Sequence, residues 1–311
     1  MNDQQWERLG RILVPDPKIW WLHSHAGASF AVPSRAVDDR FEIFVSGRDE
    51  RNRSMIGRVH LAMDPDPRIV EIEAEPVLTP GSLGAFDENG VSYPCIFEHA
   101  GRRHLLYTGW MPTVLTPFQN QIGLAQETDR GRFERVSRAP ILPRVDEDHL
   151  SVGSSFLDVH EGQWKLWYTS FQGWERSSPD AKPQHHYLIK FAHAKPNGPW
   201  QRGQRVCIGP ASANETSICR PSVIRHQGRY HMWYCFRGKH YRIGYASSEN
   251  GVEWARQDDQ VKFLNDPDDW DRQEQCYPHV FRHRNSIYML YSGNGYGRDG
   301  LGIARLVHQS V

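Results

Sequence analysis

Asp87, Glu215, Glu274 and His25 are the side chains in this sequence whose types suit covalent chemistry. Two carboxyl groups, one protonated and one ionised, can release the leaving oxygen of a glycosidic bond and activate water or attack carbon. Asp87 and Glu215 are the preferred pair, with Glu274 third. Which would be acid and which base depends on environment, not on sequence. His25 adds a group able to take a proton near neutral pH. Arg220 stands before a proline in an apolar run, so its guanidinium needs a partner, and its fork suits a carboxylate or phosphate. Arg48 and Asp49 end a strand and read as an ion pair near the same place. Tyr93 and Tyr277 flank the candidates, and Trp110, Trp174 and Tyr296 fall just after strands, where ring faces can stack on a sugar. The competing explanations are plain ones: Asp87 and Asp271 as turn residues bonded to their own backbone, and Glu215 as a solvated loop glutamate.

The elements that would hold these groups repeat. PCIFEHAGRRHLLYT, SFLDVHEGQWKLWYT, PSVIRHQGRYHMWYC and PHVFRHRNSIYMLYS each read as two strands around a turn, and the interval from Pro94 to Thr108 recurs from Ser155 to Thr169, Pro221 to Cys235 and Pro278 to Ser292. A third strand follows each hairpin, as Ile122-Gly123-Leu124-Ala125, Ile189-Lys190-Phe191-Ala192, Ile243-Gly244-Tyr245-Ala246 and Leu301-Gly302-Ile303-Ala304. A looser first copy runs from near Ala28 to Ile56-Gly57-Arg58-Val59. Such meanders, apolar on both faces, cannot bury themselves singly. Five copies of roughly 60 residues fill the chain, which favours a closed radial array over a capped linear solenoid. The sequence therefore predicts an all-β fold, a five-bladed β-propeller of about four antiparallel strands per blade. One domain spans 1–311, with blades near 23–75, 86–140, 148–205, 215–262 and 270–308. Ile12-Leu13-Val14 would lend a strand to the first or last blade. The residues ahead of each first strand should then converge on one axis.

Composition narrows the partners. The chain has 311 residues, with 37 basic and 37 acidic side chains and no block of one sign, so neither nucleic acid nor an anionic membrane is indicated. The N-terminus lacks the pattern of an export signal and no apolar run approaches the roughly 18 residues of a membrane span, which predicts a cytoplasmic protein. Five cysteines without CxxC spacing argue for reduced thiols. His23, His25, His149, His185 and His186 are of the right type for a metal, but no ligand spacing joins them. No cofactor is required, and an ion in the channel is the alternative.

FDENGVSYP, LLYTGW, RPSVI, YHMWYCFRG, YRIGYASSENGVEW, WDRQEQCYPHV and YSGNGYGRDGLGIA resemble the five-bladed propellers of the glycoside hydrolase family 43, 32 and 68 superfamily, and more closely its uncharacterised glycosidase-like members. The resemblance covers the whole chain. It implies an Asp early in blade one as base, an Asp early in blade two that orients, and a Glu early in blade three as acid. Asp87 matches the second. Ser24-His25 stands where the first would fall, and Asp146-Glu147-Asp148-His149 lacks the third motif.

Three functions remain open at this point: hydrolysis of a glycosidic bond by carboxylates in the channel, sugar binding without catalysis, or a His25-dependent elimination or transfer on a sugar or sugar nucleotide. The expected ligand in every case is a carbohydrate or sugar nucleotide.

Overall fold

A computed structural model describes residues 4–160 and 162–308. The strands are β1 (Gln4–Leu13), β2 (Ala26–Pro33), β3 (Arg40–Arg48), β4 (Ser54–Ala62), β5 (Arg68–Ile72), β6 (Gly90–His99), β7 (Arg102–Met111), β8 (Gln119–Glu127), β9 (Phe133–Arg135), β10 (Val152–His160) and β11 (Gln163–Glu175). They continue with β12 (Gln184–Ala194), β13 (Gln201–Ile208), β14 (Ser217–His226), β15 (Arg229–Arg237), β16 (Tyr241–Ser248), β17 (Ala255–Arg256), β18 (Val261–Phe263), β19 (Cys276–His283), β20 (Ser286–Ser292) and β21 (Leu301–His308). Among the described residues no helix is long and apolar enough to cross a membrane.

Pairing groups the strands into antiparallel meanders: β2 to β5, β6 to β9, β10 to β13, β14 to β17, and β19 to β21 completed by β1. The first strands β2, β6, β10, β14 and β19 touch in that order, and β19 touches β2, so the series closes. Closure comes from the N-terminus. β1 lies antiparallel to β21 from Gln5 to Leu13, with β18 parallel on its outer edge. The sequence placed this strand at Ile12-Val14. The strand lies further upstream because fully buried Trp6, packed edge-on to Trp233 at 5.9 Å, anchors it.

The recurrent proline has a physical reason. Each first strand carries a bulge, between Gly27 and Phe30, Ser92 and Cys95, Gly153 and Phe156, Cys219 and Ser222, and Cys276 and His279. Proline inside a sheet is tolerated at bulges because no ladder N–H is needed there. The residue ahead of each reference position takes a left-handed backbone: Ala28 (φ 42°), Tyr93 (53°), Ser154 (31°), Arg220 (55°) and Tyr277 (55°). Its N–H is freed from its own sheet and points to the next. Ser46 Oγ accepts from Tyr93 N (3.0 Å), Thr108 Oγ1 from Ser154 N (2.8 Å), Cys235 Sγ from Tyr277 N (2.7 Å) and Ser292 Oγ from Ala28 N (3.1 Å). At the remaining junction Arg220 N donates to Ser154 Oγ (3.1 Å), which is bonded in turn to Thr169 Oγ1 (2.6 Å). At four junctions the small residue near the end of the second strand is thus the acceptor that locks one meander to its neighbour, and at the fifth Thr169 acts through Ser154.

The third-strand glycine is equally determined. A Cβ at Gly57 would stand 2.2 Å from the Trp21 indole, and one at Gly302 2.2 Å from Trp270. An aromatic ring lies flat on that strand, and only glycine leaves room for it.

Candidate functional site

A cavity of about 780 Å³ opens where the bulged ends of the first strands meet. Its inner surface is phenolic. Tyr93 and Tyr277 meet edge-on at 5.2 Å, Tyr277 lies 5.9 Å from Tyr241 and 6.4 Å from Tyr296, and the Tyr187 and Tyr241 hydroxyls are hydrogen-bonded to each other. Burial first, then the neighbouring phenols and thiols, raises Tyr93, Tyr187, Tyr241 and Tyr277 well above the usual tyrosine range, so they are neutral hydrogen-bond donors. At the floor sits Cys219. Burial opposes its ionisation, but hydrogen bonds with Cys235, Tyr187 and Tyr241 and the charge of Arg237 outweigh this and draw the thiol down.

The second strands deliver another ring of side chains. Two residues beyond the locking positions stand Arg48, Trp110, Phe171 and Arg237, all facing the cavity. Arg48 donates to Asn52 Oδ1 (2.6 Å) and Trp110 Nε1 to Ser54 Oγ (2.7 Å). His25, half-buried and bonded through Nδ1 to Ser24 Oγ (2.9 Å), is pushed down to about 4 by burial and then by Arg48 and Arg298, so it is a neutral acceptor at pH 7. His185, stacked on Tyr187 at 4.7 Å, falls to about 3 through burial and then Arg237.

Among the described residues no aspartate or glutamate lines the cavity. The expected catalytic carboxylates are engaged elsewhere. Asp87, 1% exposed, accepts from Tyr107 Oη (3.0 Å) and Arg135 Nε (2.8 Å). Glu215 pairs with Arg256 (2.8 Å) and accepts from Ala211 N. Glu274 accepts from Gly295 N (3.1 Å) and so braces the loop that carries Tyr296. Asp271, the other turn aspartate, is held by Arg8 (2.9 Å) and Tyr291 (3.0 Å). These placements correct the convergence expected of Asp87, Glu215 and Glu274. The supposed Arg48–Asp49 ion pair is absent too: Asp49 takes Arg53 (2.8 Å) and holds the turn that presents Asn52.

Of the remaining expected site residues, His25, Arg48, Tyr93, Trp110, Tyr277 and Tyr296 line the cavity. Trp174 stands behind it, 5.3 Å from Phe118 and from His185, which do line it. Arg220 lies beneath the floor, 2% exposed, and donates to the carbonyls of Ser29 (2.6 Å) and Pro94 (3.1 Å) rather than to an anion. Among the described residues no three His, Cys, Asp or Glu side chains form a metal-binding group.

Two Mycobacterium tuberculosis proteins, the uncharacterized proteins MT1551 of strain CDC 1551 / Oshkosh and Rv1502 of strain ATCC 25618 / H37Rv, are each 38% identical to this chain over 301 residues, which is 97% of it and 99% of theirs. The chain belongs to their family. No protein-family model matches the sequence. This chain shares its fold with solved glycoside hydrolases. One titled "Glycoside hydrolase" superposes with a TM-score of 0.74 at 15% identity, over 99% of this chain and 93% of that one. A thermostable family-43 glycoside hydrolase gives 0.68 at 15%, over 92% and 91%. A structure titled for the GH130 family of mannoside phosphorylases, which contains glycoside hydrolases that target β-1,2 mannosidic linkages in Candida mannan, gives 0.72 at 13%, over 97% and 94%. At such identities the likeness is one of fold.

Sequence reasoning passed over Lys182, Arg237, Lys239 and Tyr241 as site residues and weighed His185 only as a metal ligand, yet all five line the cavity. A signal for Arg237 existed: it follows Cys235 at the offset by which Arg48 follows Ser46 and Trp110 follows Thr108. Lys182 and Lys239 come from the loops that join second to third strands, which differ in length from one repeat to the next, so no register pointed to them.

Proposed function

We propose that the five meanders are the blades of one propeller domain, and that this protein is carbohydrate-active, receiving a sugar in the axial cavity. The carrying observation is the lining: tyrosine, tryptophan and phenylalanine faces beside hydroxyl and amide groups, a composition that serves both the apolar face and the hydroxyls of a pyranose or furanose. The fold shared with glycoside hydrolases supports the same reading. The geometry does not favour a two-carboxylate hydrolysis, because that mechanism needs both carboxyl groups at the scissile bond and the described residues of the cavity offer none. The proton-transfer groups on offer are His25 as acceptor and the buried phenols as donors, which favours elimination or transfer on the sugar. Binding without turnover is the second reading, favoured by the same lack of carboxylates.

A panel of glycans and sugar nucleotides, scored for both binding and turnover with wild type, His25→Asn, Tyr93→Phe and Asp87→Asn, tests this. Expected is turnover that falls by about 10²-fold or more in His25→Asn and persists in the folded fraction of Asp87→Asn. Turnover that survives His25→Asn but vanishes in folded Asp87→Asn would return the carboxylate mechanism. Binding of sugars with no turnover by wild type would establish the second reading.

A further inference from the structure

The cavity's charge is one-sided in a chain whose totals cancel, 37 against 37. Several half-buried guanidinium groups elsewhere are matched to carboxylates, Arg8 to Asp271, Arg135 to Asp87, Arg202 to Asp148 and Arg256 to Glu215, while buried Arg220 is held by the carbonyls of Ser29 and Pro94 and Arg48 by the Asn52 amide oxygen. Arg237 has neither kind of partner among the described residues. It is half-buried, its guanidinium carbon lies 5.3 Å from the centre of the Tyr241 ring, and no carboxylate pairs with it among the described residues. Two further cations without a carboxylate partner among the described residues, Lys182 and Lys239, line the same cavity. Arg237 and Lys182 belong to one wall, where the third and fourth meanders meet: Ser217 pairs with Arg237 on one side and with Tyr187 on the other, and Lys182 lies just ahead of the strand that carries Tyr187.

A guanidinium taken partly out of water has lost hydration that the Tyr241 ring and the Tyr296 hydroxyl restore only in part. Its five donors in a planar fork fit two oxygens of one anionic group. We propose that this wall is an anion subsite, in which Arg237, supported by Lys182 and Lys239, binds a phosphate or carboxylate carried by the sugar. The inference rests on the carbohydrate reading for the sugar, and on the cation wall for the anion. The neutral phenols of Tyr187 and Tyr241 supply donors beside the anion without opposing charge. Arg48, across the cavity and already donating to Asn52, is a separate cation facing the other end of the ligand.

Titration calorimetry decides it, with matched neutral and anionic probes: glucose, mannose and galactose, their 6-phosphates, their uronates, and inorganic phosphate. Wild type is expected to bind at least one anionic member about tenfold or more tightly than its neutral counterpart, the scale of one or two charge-assisted hydrogen bonds. Arg237→Gln abolishes that preference, Arg237→Lys keeps part of it, and added salt weakens it. Whether phosphates or uronates show the gain identifies the anion. Lys182→Gln with Lys239→Gln, at exposed positions, is expected to lower the preference by about threefold, and this test holds even where Arg237→Gln does not fold. Equal affinity for neutral and anionic partners, or a preference untouched by Arg237→Gln and by the double lysine variant, overturns the subsite while the sugar reading stands. Phosphate bound through Arg237 with no sugar bound keeps the subsite and sinks the sugar reading. Silence from every probe overturns both.

Discussion

Asp87 shows how a framework carboxylate can pass for a catalytic one. It follows an aromatic residue, precedes a first strand, and sits where the resembling hydrolases keep a functional aspartate. Its partners show what it does here. Tyr107 lies 20 residues on and donates to it, Tyr168 stands in the same relation to Asp148, and Tyr291 to Asp271. A residue that recurs with its partner in several repeats belongs to the framework, whereas a reacting group is needed once. That recurrence is visible in the sequence, and reading it would have set Asp87 aside. The absence of carboxylates around Arg237 was not visible, because it depends on which loops meet across the axis. Asp87→Asn leaves Arg135, whose guanidinium is partly exposed, and the buried Tyr107 hydroxyl facing a neutral amide, a loss of about 1–3 kcal/mol. Urea unfolding should show that loss. Arg48→Gln, which removes a cation that no carboxylate matches, should change stability by no more than about 0.5 kcal/mol. A stable Asp87→Asn protein would mean that Asp87 does not serve the framework.

At the scale of elements, strand order and turn positions were legible because both follow from local chemistry: apolar runs, Gly-containing turns and an aromatic laid on a third-strand glycine. The prolines were legible as markers but not as bulges, since a bulge is a relation between two strands. The same holds for Thr108 and its equivalents, which the sequence showed only as small residues at a fixed offset. In the structure they hold the bulge N–H of the next meander and so fix the left-handed residues that aim Tyr93 and Tyr277 at the cavity. Thr108→Val keeps the shape and removes the acceptor, leaving the buried Ser154 N–H unpaired at a cost of about 1–3 kcal/mol. Ser46→Ala at the preceding junction should cost less, because Ser46 is only half-buried and water can replace it. Denaturation midpoints for the two variants check the order. A larger loss at Ser46 would show that the locks do not work by burial.

For the whole molecule, closure of the ring leaves polar groups on the inner strands with no route to water, and this sets its response to acid. His279 is the clearest case. It is 3% exposed, stacked at 4.0 Å on Phe30, and pushed down to about 3 by burial and then by the charge of Arg220. His231, buried beside Tyr245, is lowered to about 4, again mainly by burial, then by His226. A histidine held neutral when folded, with an ordinary value near 6.5 when unfolded, contributes stability that is complete above about 6.5 and is lost as pH falls toward the folded value. For His279 the slope is about 1.4 kcal/mol per pH unit, because one proton is taken up on unfolding. Carboxylates act lower. Asp148 is held below its usual range, since hydrogen bonds from Ser170 and Tyr168 and the charge of Lys190 outweigh its burial, and its contribution is lost only below about pH 4. The interval from about 6.5 to 4 is therefore governed mainly by the histidines, opposed by Asp158, whose carboxyl is raised by burial. Urea unfolding at steps across that interval should show stability falling with acid, and His279→Gln should flatten the fall by the slope of one proton. An unchanged slope in His279→Gln would mean that His279 is already protonated in the folded protein, with its charge accommodated between Phe30 and Arg220.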